Sequence, residues 1–331
     1  MKKSSAEDMG FVGRMNLLFV KIGAIGDVIM ALSCLNDLKK SDPDIRITWV
    51  VGKIAEPFVK SVNLVDEYIV IDDRKLLKGS LVQKVSVLFD IWIKLGFKKF
   101  NKICIGHTDK RYKIIVPFFF CKKIDLFYPL KNIHHSTQYL KLLADKDISL
   151  EETVEFNIES SKNFKLPSDY IVLSPGGASN LLRDDNLRRW PIKNYVELAK
   201  KLLDLNRNVV IVGGPGDTWV TEYFDGLNVY NLVAETTLGD LYNICRGSKV
   251  TITHDSGQLH IANAAESRVI ALFGPTEPSE KVLFRNSESL YLWRGNKLQC
   301  SPCYDGKNYS STCEENICLK DISPDEVFSL I

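Results

Sequence analysis

No apolar run in the 331-residue chain approaches the ~18–20 residues that a membrane span needs. The opening "MKKSSAEDMG" has two lysines but no apolar core behind them, so it does not read as a secretory signal. Met15, just ahead of the first apolar run, would serve equally as a start. The G-x-G-x-x-G dinucleotide fingerprint is missing, and no Lys-Ser/Thr pair follows the first glycine turn, so that turn is not a P-loop. Charge of one sign is also lacking. A net charge of +2 provides no whole-molecule attraction for nucleic acid. Four of the eight cysteines are scattered (Cys34, Cys104, Cys121, Cys245), and a chain this long needs no disulfide staples. These absences point to a cytoplasmic protein.

What is present is ordinary for a globular chain, at 45% hydrophobic and 25% charged residues. The length suits two domains. The first half alternates strand and helix patterns. "RMNLLFV" predicts a buried strand, and "GDVIMALSCLNDLKK" a helix with Val28, Met30, Leu32, Leu35 and Leu38 at helical spacing. "IRITWVVG", "DEYIVID", "NKICIG" and "YKIIVPFFF" predict further strands, with residues 74–100 mainly helical. The polar stretch over 150–168 predicts a linker. The rhythm then restarts: "YIVLSPGG", "NVVIVGGPGD", "KVTITHDSGQLHIANAAE" and "RVIALFGPTEP" each lead from a strand into a turn. "WPIKNYVELAKKLLDLN" is an amphipathic helix behind Pro191, and "SPDEVF" starts another with Ser323 as cap. Two doubly wound α/β domains are expected, over 14–160 and 168–315, with a C-terminal helix over 316–331. Ligands of such sheets lie outside the carboxyl ends of the strands, so the cleft between the domains is the natural site.

Several turns could carry chemistry. "GAIGD" places Gly23, Gly26 and Asp27 at the mouth of the first helix. "SPGG" (Gly176, Gly177) and "GGPGD" (Gly213, Gly214) let backbone approach a ligand, or are simply tight turns. In "HDSGQLH", Ser256 and Gly257 would offer backbone N–H groups at a helix N-terminus, which favours phosphate. Asp255 would stand at the rim, able to accept from sugar hydroxyls, or else be a plain helix cap. His260 lies one turn in, as a site residue or a core histidine. "RDDNLRRWP" is an exposed charged loop or an anion site, since arginine matches phosphate oxygens with a planar fork. Between Lys94 and Lys131 stand ten Lys/Arg against Asp109 and Asp125, interleaved with apolar residues. That face suits anionic lipid or an anionic substrate, or is a solvated surface beside a buried strand.

"KIGAIGDVIMAL", "SPGGA", "RRWP", "VVIVGGPGD", "HDSGQLHIANA" and "ALFGPTEP" occur in that order. Together they resemble glycosyltransferase family 9, the heptosyltransferases of lipopolysaccharide core biosynthesis, from Met15 to about Val327. The resemblance implies a GT-B fold, with two Rossmann-like domains facing a cleft. It implies inverting transfer from ADP-heptose, with no cofactor or catalytic metal, to an anionic lipid-linked glycan at the cytoplasmic face of the inner membrane. Asp27 matches the family's proposed general base. Arg188 matches a diphosphate contact that is usually lysine. Asp255, Ser256, Gly257 and His260 match the donor loop, and Gly176 and Gly177 line the donor side. Gly23 and Gly26 fall to the acceptor side, where residues 52–150 resemble no pattern strongly. Two alternatives stay open: another ADP- or UDP-sugar donor, and a non-catalytic or redox Rossmann-type nucleotide binder.

Cys300, Cys303, Cys313 and Cys318 form C-x2-C-x9-C-x4-C. Such spacing suggests a structural zinc before disulfides, with reduced thiols and adventitious pairs as the alternatives.

Overall fold

The computed structural model describes residues 14–116, 124–144, 146–151, 154–179, 183–306, 308–310 and 312–331. Five parallel strands form the first sheet: β1 (Asn16–Val20), β2 (Arg46–Gly52), β3 (Glu67–Ile71), β4 (Lys102–Ile105) and β5 (Ile124–Leu126), in the order β3-β2-β1-β4-β5. Its helices are α1 (Ile25–Leu32), α2 (Leu35–Ser41), α3 (Glu56–Lys60), α4 (Asp73–Lys78), α5 (Leu81–Leu95) and α6 (His135–Leu143). The second sheet holds β6 (Tyr170–Ser174), β7 (Asn208–Ile211), β8 (Tyr230–Asn231), β9 (Val250–His254), β10 (Val269–Phe273) and β11 (Leu290–Trp293). All are parallel, in the order β11-β10-β9-β6-β7-β8. Around it lie α7 (Ile192–Asp204), α8 (Leu238–Gly247), α9 (Gly257–Ala264), α10 (Pro278–Lys281), α11 (Ile317–Lys320) and α12 (Pro324–Phe328).

In both sheets the order of strands reverses once. The reversal lies between β1 and β4 in the first and between β6 and β9 in the second. Ligand crevices of open α/β sheets form at such switch points. The turns after β1, β4, β6 and β9 are therefore where function belongs. The inner strands β1, β6, β9 and β10 are buried almost throughout, as strands covered on both faces must be.

The predicted first helix is broken in two. The Ser33 hydroxyl donates to the Ile29 carbonyl (2.9 Å), competing with the helical ladder, and α2 restarts after Cys34. The predicted strand "YKIIVPFFF" begins instead as a 3-10 turn over Lys110–Ile115, capped by Asp109 accepting from Arg111 N (2.9 Å). Residues 117–120 of that stretch lie outside the described residues. The C-terminal helix is two short pieces, α11 and α12, folded back on the second domain. Trp190 Nε1 donates to the Ile322 carbonyl there (2.9 Å).

The linker read as polar is tied down. Val154, Phe156 and Ile158 alternate inward, and Phe156 meets Phe58 edge-on at 5.7 Å. Asp240 at the start of α8 accepts from Ser160, Ser161 and Lys162. One hydrophobic cluster consequently runs through both domains, from Leu17 and Phe58 to Tyr242 and Leu259.

Candidate functional site between the two switch points

β1 delivers Lys21 and then the glycine turn. Trp49 Nε1 donates to the Lys21 carbonyl (3.0 Å), fixing the strand end. Lys21, only 3% exposed, turns its ammonium to Asp27 Oδ2 at 2.9 Å. Asp27 occupies the first turn of α1, where the helix dipole favours a negative charge. The other carboxylate oxygen lies 3.8 Å from His135 Nδ1, at the start of α6. Burial pushes the Asp27 carboxyl up, but Lys21 and His135 outweigh it and hold the group well below the carboxylate range. His107, after β4, accepts from Ile22 N through Nε2 (3.0 Å). Burial, with Lys21 nearby, drives its pKa well down, so it stays a neutral acceptor.

The second switch point supplies Ser174–Gly177 after β6 and Asp255–Gly257 after β9. Asp255 is not at the rim. It is 2% exposed, and Arg188 clamps it. Nε donates to Oδ2 (3.0 Å), while Nη2 reaches Oδ1 (2.9 Å) and the Asp255 carbonyl (2.7 Å). A carboxylate so occupied positions the arginine rather than catching sugar hydroxyls. Burial raises the Asp255 carboxyl, yet Arg188 brings it down to about 2. The Arg188 guanidinium also faces the Tyr304 ring at 5.4 Å, with Nη1 3.8 Å from Asp185 Oδ2. Nη1 is the guanidinium nitrogen outside the Asp255 clamp, and its neighbour is the Asp185 carboxylate.

Ser256 is the N-cap of α9 but makes no side-chain cap bond. Its hydroxyl is buried and without a partner among the described residues. The first N–H groups of α9 lack intrahelical acceptors as well. Together they form an anion-receptive mouth.

The glycines divide into two kinds. Gly23 faces open space, so its turn leaves room for a ligand. Gly26 does not: a Cβ there would overlap the imidazole of His260. A Cβ on Gly257 would likewise overlap Ile25. These bare backbones let α1 and α9 close on each other across the domain boundary. Gly176, Gly177, Gly213 and Gly214 surround a residue that sequence reasoning passed over. Asp217 Oδ1 accepts from Gly177 N (2.8 Å) and Oδ2 from Gly214 N (2.7 Å). A Cβ on Gly176 or Gly213 would meet the Asp217 side chain. The two turns are thus stapled by Asp217 beneath the site.

His260 is buried, which drives its pKa down to about 4 against the opposing pull of Asp255 and Asp27. It is neutral at pH 7. Lys281, at the end of α10, puts Nζ 3.0 Å from His135 Nε2. Burial lowers the Lys281 pKa, while Asp27 and Asp255 pull it up. Lys21, Asp27, His135 and Lys281 therefore form one polar chain from the first domain into the second. Lys281 follows "GPTEPSE" closely, and that proximity was its only signal in sequence. A cavity of about 140 Å³ opens beyond His260 and Lys281, lined also by His134 and Arg285, but neither Asp27 nor Arg188 lines it.

The four C-terminal cysteines lie near one another, and Cys313, Cys303 and Cys300 add to the burial that raises the Cys318 thiol pKa; among the described residues no group of three His, Cys, Asp or Glu is placed to hold an ion. Two of their hydrogen bonds are local. Cys313 Sγ accepts from Asn316 N (3.3 Å), and Cys318 Sγ donates to Asn316 Oδ1 (3.4 Å).

Residues 69–312 match the family model described as glycosyltransferase family 9 (heptosyltransferase). The lipopolysaccharide heptosyltransferase 2 of Escherichia coli (strain K12) is 36% identical over 98 residues, which span 28% of this chain and 28% of that protein. The lipooligosaccharide heptosyltransferase 2 of Haemophilus ducreyi is 30% identical over 304 residues, 80% of this chain and 85% of that protein. Among solved structures, the E. coli ADP-heptose LPS heptosyltransferase II superposes with a TM-score of 0.69 at 19% identity, covering 96% of this chain and 97% of that one.

Proposed function

The chain belongs to glycosyltransferase family 9 and has the GT-B fold, and on that premise we propose that it transfers heptose from ADP-heptose to a lipid-linked lipopolysaccharide core acceptor, inverting the anomeric centre. One observation carries the reading. The Ser256 hydroxyl, buried and without a partner among the described residues at the mouth of α9, lies beside the contact of Gly257 with Ile25, two residues from Asp27. An anion-receptive helix mouth and a carboxylate from different domains lying this close support the reading that phosphate and acceptor meet in one cleft.

In this reading the diphosphate rests on the α9 N-terminus, with Ser256 and Nη1 of Arg188 donating to it. The acceptor hydroxyl enters over Gly23 and attacks the anomeric carbon from the face opposite the leaving ADP. A C–O bond forms, the bond to the phosphate oxygen breaks, and the hydroxyl proton passes to Asp27. A carboxylate with a depressed pKa is a weak base, so it takes the proton late, once the attacking oxygen carries positive charge. Lys281 and Arg188 with the α9 dipole stabilise the charge developing on ADP, which supports a reaction needing no metal. We place it in the cytoplasm.

Incubation with ADP-heptose or other nucleotide sugars and a core acceptor, read by mass spectrometry, tests the proposal. A heptosyl product from ADP-heptose supports it. Transfer only from a UDP-sugar, or no transfer with NAD rather than ADP raising the melting temperature, refutes it.

A further inference from the structure

α5 has two apolar faces where a surface helix needs one. A capping box between Ser80 and Gln83 starts it. Val87, Leu88, Ile91 and Leu95 pack inward against the first sheet. On the opposite arc Val82, Val85, Phe89 and Ile93 follow at spacings of three and four residues, all more than half exposed. Phe97, just past the helix, is fully exposed. The 3-10 turn over Lys110–Ile115 lies alongside, with Trp92 Nε1 donating to the Ile115 carbonyl (3.0 Å), and adds the exposed Ile114. Contiguous exposed apolar surface of this kind marks an interaction site.

The surrounding charge selects the occupant. From Lys78 to Val116 there are nine Lys/Arg against Asp90 and Asp109. Lys99, Lys110 and Lys113 are exposed around the apolar stripe. A second copy of the same face would bring like charges together. An anionic bilayer surface satisfies both features, since side chains such as Phe89 enter the acyl boundary while lysines meet the headgroups. We infer that the outer face of α5, with the Lys110–Ile115 turn, is the surface by which this protein docks on an anionic lipid bilayer.

The orientation is useful. Tyr112 in that turn stacks on His107 at 3.8 Å, and His107 holds Ile22 at the start of the glycine turn. The docking face therefore ends beside the turn that carries Asp27. That a lipid-linked acceptor would arrive from this side rests on the transferase reading; the binding itself does not.

The full chain is mixed with vesicles of phosphatidylglycerol and phosphatidylethanolamine, or of phosphatidylcholine alone, and separated by flotation. Binding is expected on the anionic vesicles only. The Phe89→Glu/Ile93→Glu variant should lose roughly tenfold or more of it, and Lys110→Gln/Lys113→Gln a smaller share that high salt erases in the wild type. Val82→Gln/Val85→Gln provides the same reading if the first variant melts early. The inference is overturned by equal binding of the apolar variants, by no wild-type binding, or by a wild-type dimer that Phe89→Glu/Ile93→Glu converts to monomer. Flotation involves no sugar transfer, so its failure and that of the transferase reading are separate results.

Discussion

The His260 imidazole occupies the space that a side chain at Gly26 would need. Gly26 belongs to the first turn of the first domain and His260 to α9, whose N-terminus forms the anion-receptive mouth of the second. Their contact sets how closely the two crevices approach.

A methyl group at Gly26 should disturb that contact. Gly26→Ala is expected to destabilise the fold by about 1–3 kcal/mol, the usual cost of overpacking. The double variant Gly26→Ala/His260→Ala should recover part of the loss, as residues in contact couple. Urea unfolding of the four proteins of this cycle measures it; strict additivity would show that the two residues do not share the space.

Asp27→Ala should leave ADP binding intact and reduce kcat by roughly 10²–10⁴-fold, the range for loss of a general base. Calorimetry with ADP and a transfer assay separate the two effects. Transfer at the wild-type rate would remove Asp27 from the proposed chemistry.

Arg188→Ala should weaken ADP binding and also destabilise the protein by about 3–5 kcal/mol, because Asp255 would remain buried without its partner. Arg188→Ala/Asp255→Asn should regain stability but not ADP affinity. Thermal melts with and without ADP distinguish these outcomes.

Stability should fall in acid in two stages. His254, driven down to about 3 by burial, and His260, down to about 4, are neutral in the folded protein. The unfolded chain takes up protons near pH 6.5, so their contribution is complete above that pH and is lost as the pH falls through about 4 for His260 and about 3 for His254. Asp255, held at about 2, adds stability above pH ~3.9 that disappears as the pH falls to 2. Melting temperatures of wild type and His254→Phe between pH 7 and 4 test the first stage; the variant should show the shallower decline.

Lys281→Met should raise the donor KM, since one of the cations facing both Asp27 and Asp255 is lost. A Lys281→Arg variant that restores the charge should recover part of it. Steady-state kinetics with varied donor decides.

Both domains were legible in the sequence because most strand patterns ended in a glycine or aspartate turn, and period-2 or buried runs survive tertiary folding unchanged. Ser256 as the start of α9 was readable for the same local reason. The Lys110–Ile115 turn was misread because β-branched residues favour a strand, while Asp109 caps a turn there by a hydrogen bond that propensity does not register. Asp217 and Lys281 were passed over because the partners that tie them to the site, Gly177 and His135, stand 40 and 146 residues away.

By itself the sequence determined the two α/β repeats, the glycine turns at strand ends and the presence of Asp27, Arg188 and Ser256 near helix starts. These follow from local backbone sterics and apolar periodicity. Tertiary structure alone decided what each group faces. It buried Asp255 under Arg188, spent Gly26 on His260 instead of a ligand, and linked Asp27 through His135 to Lys281 across the domain boundary. Charge pairing and close packing act through space, and the order of residues along a chain does not specify which distant side chain will arrive.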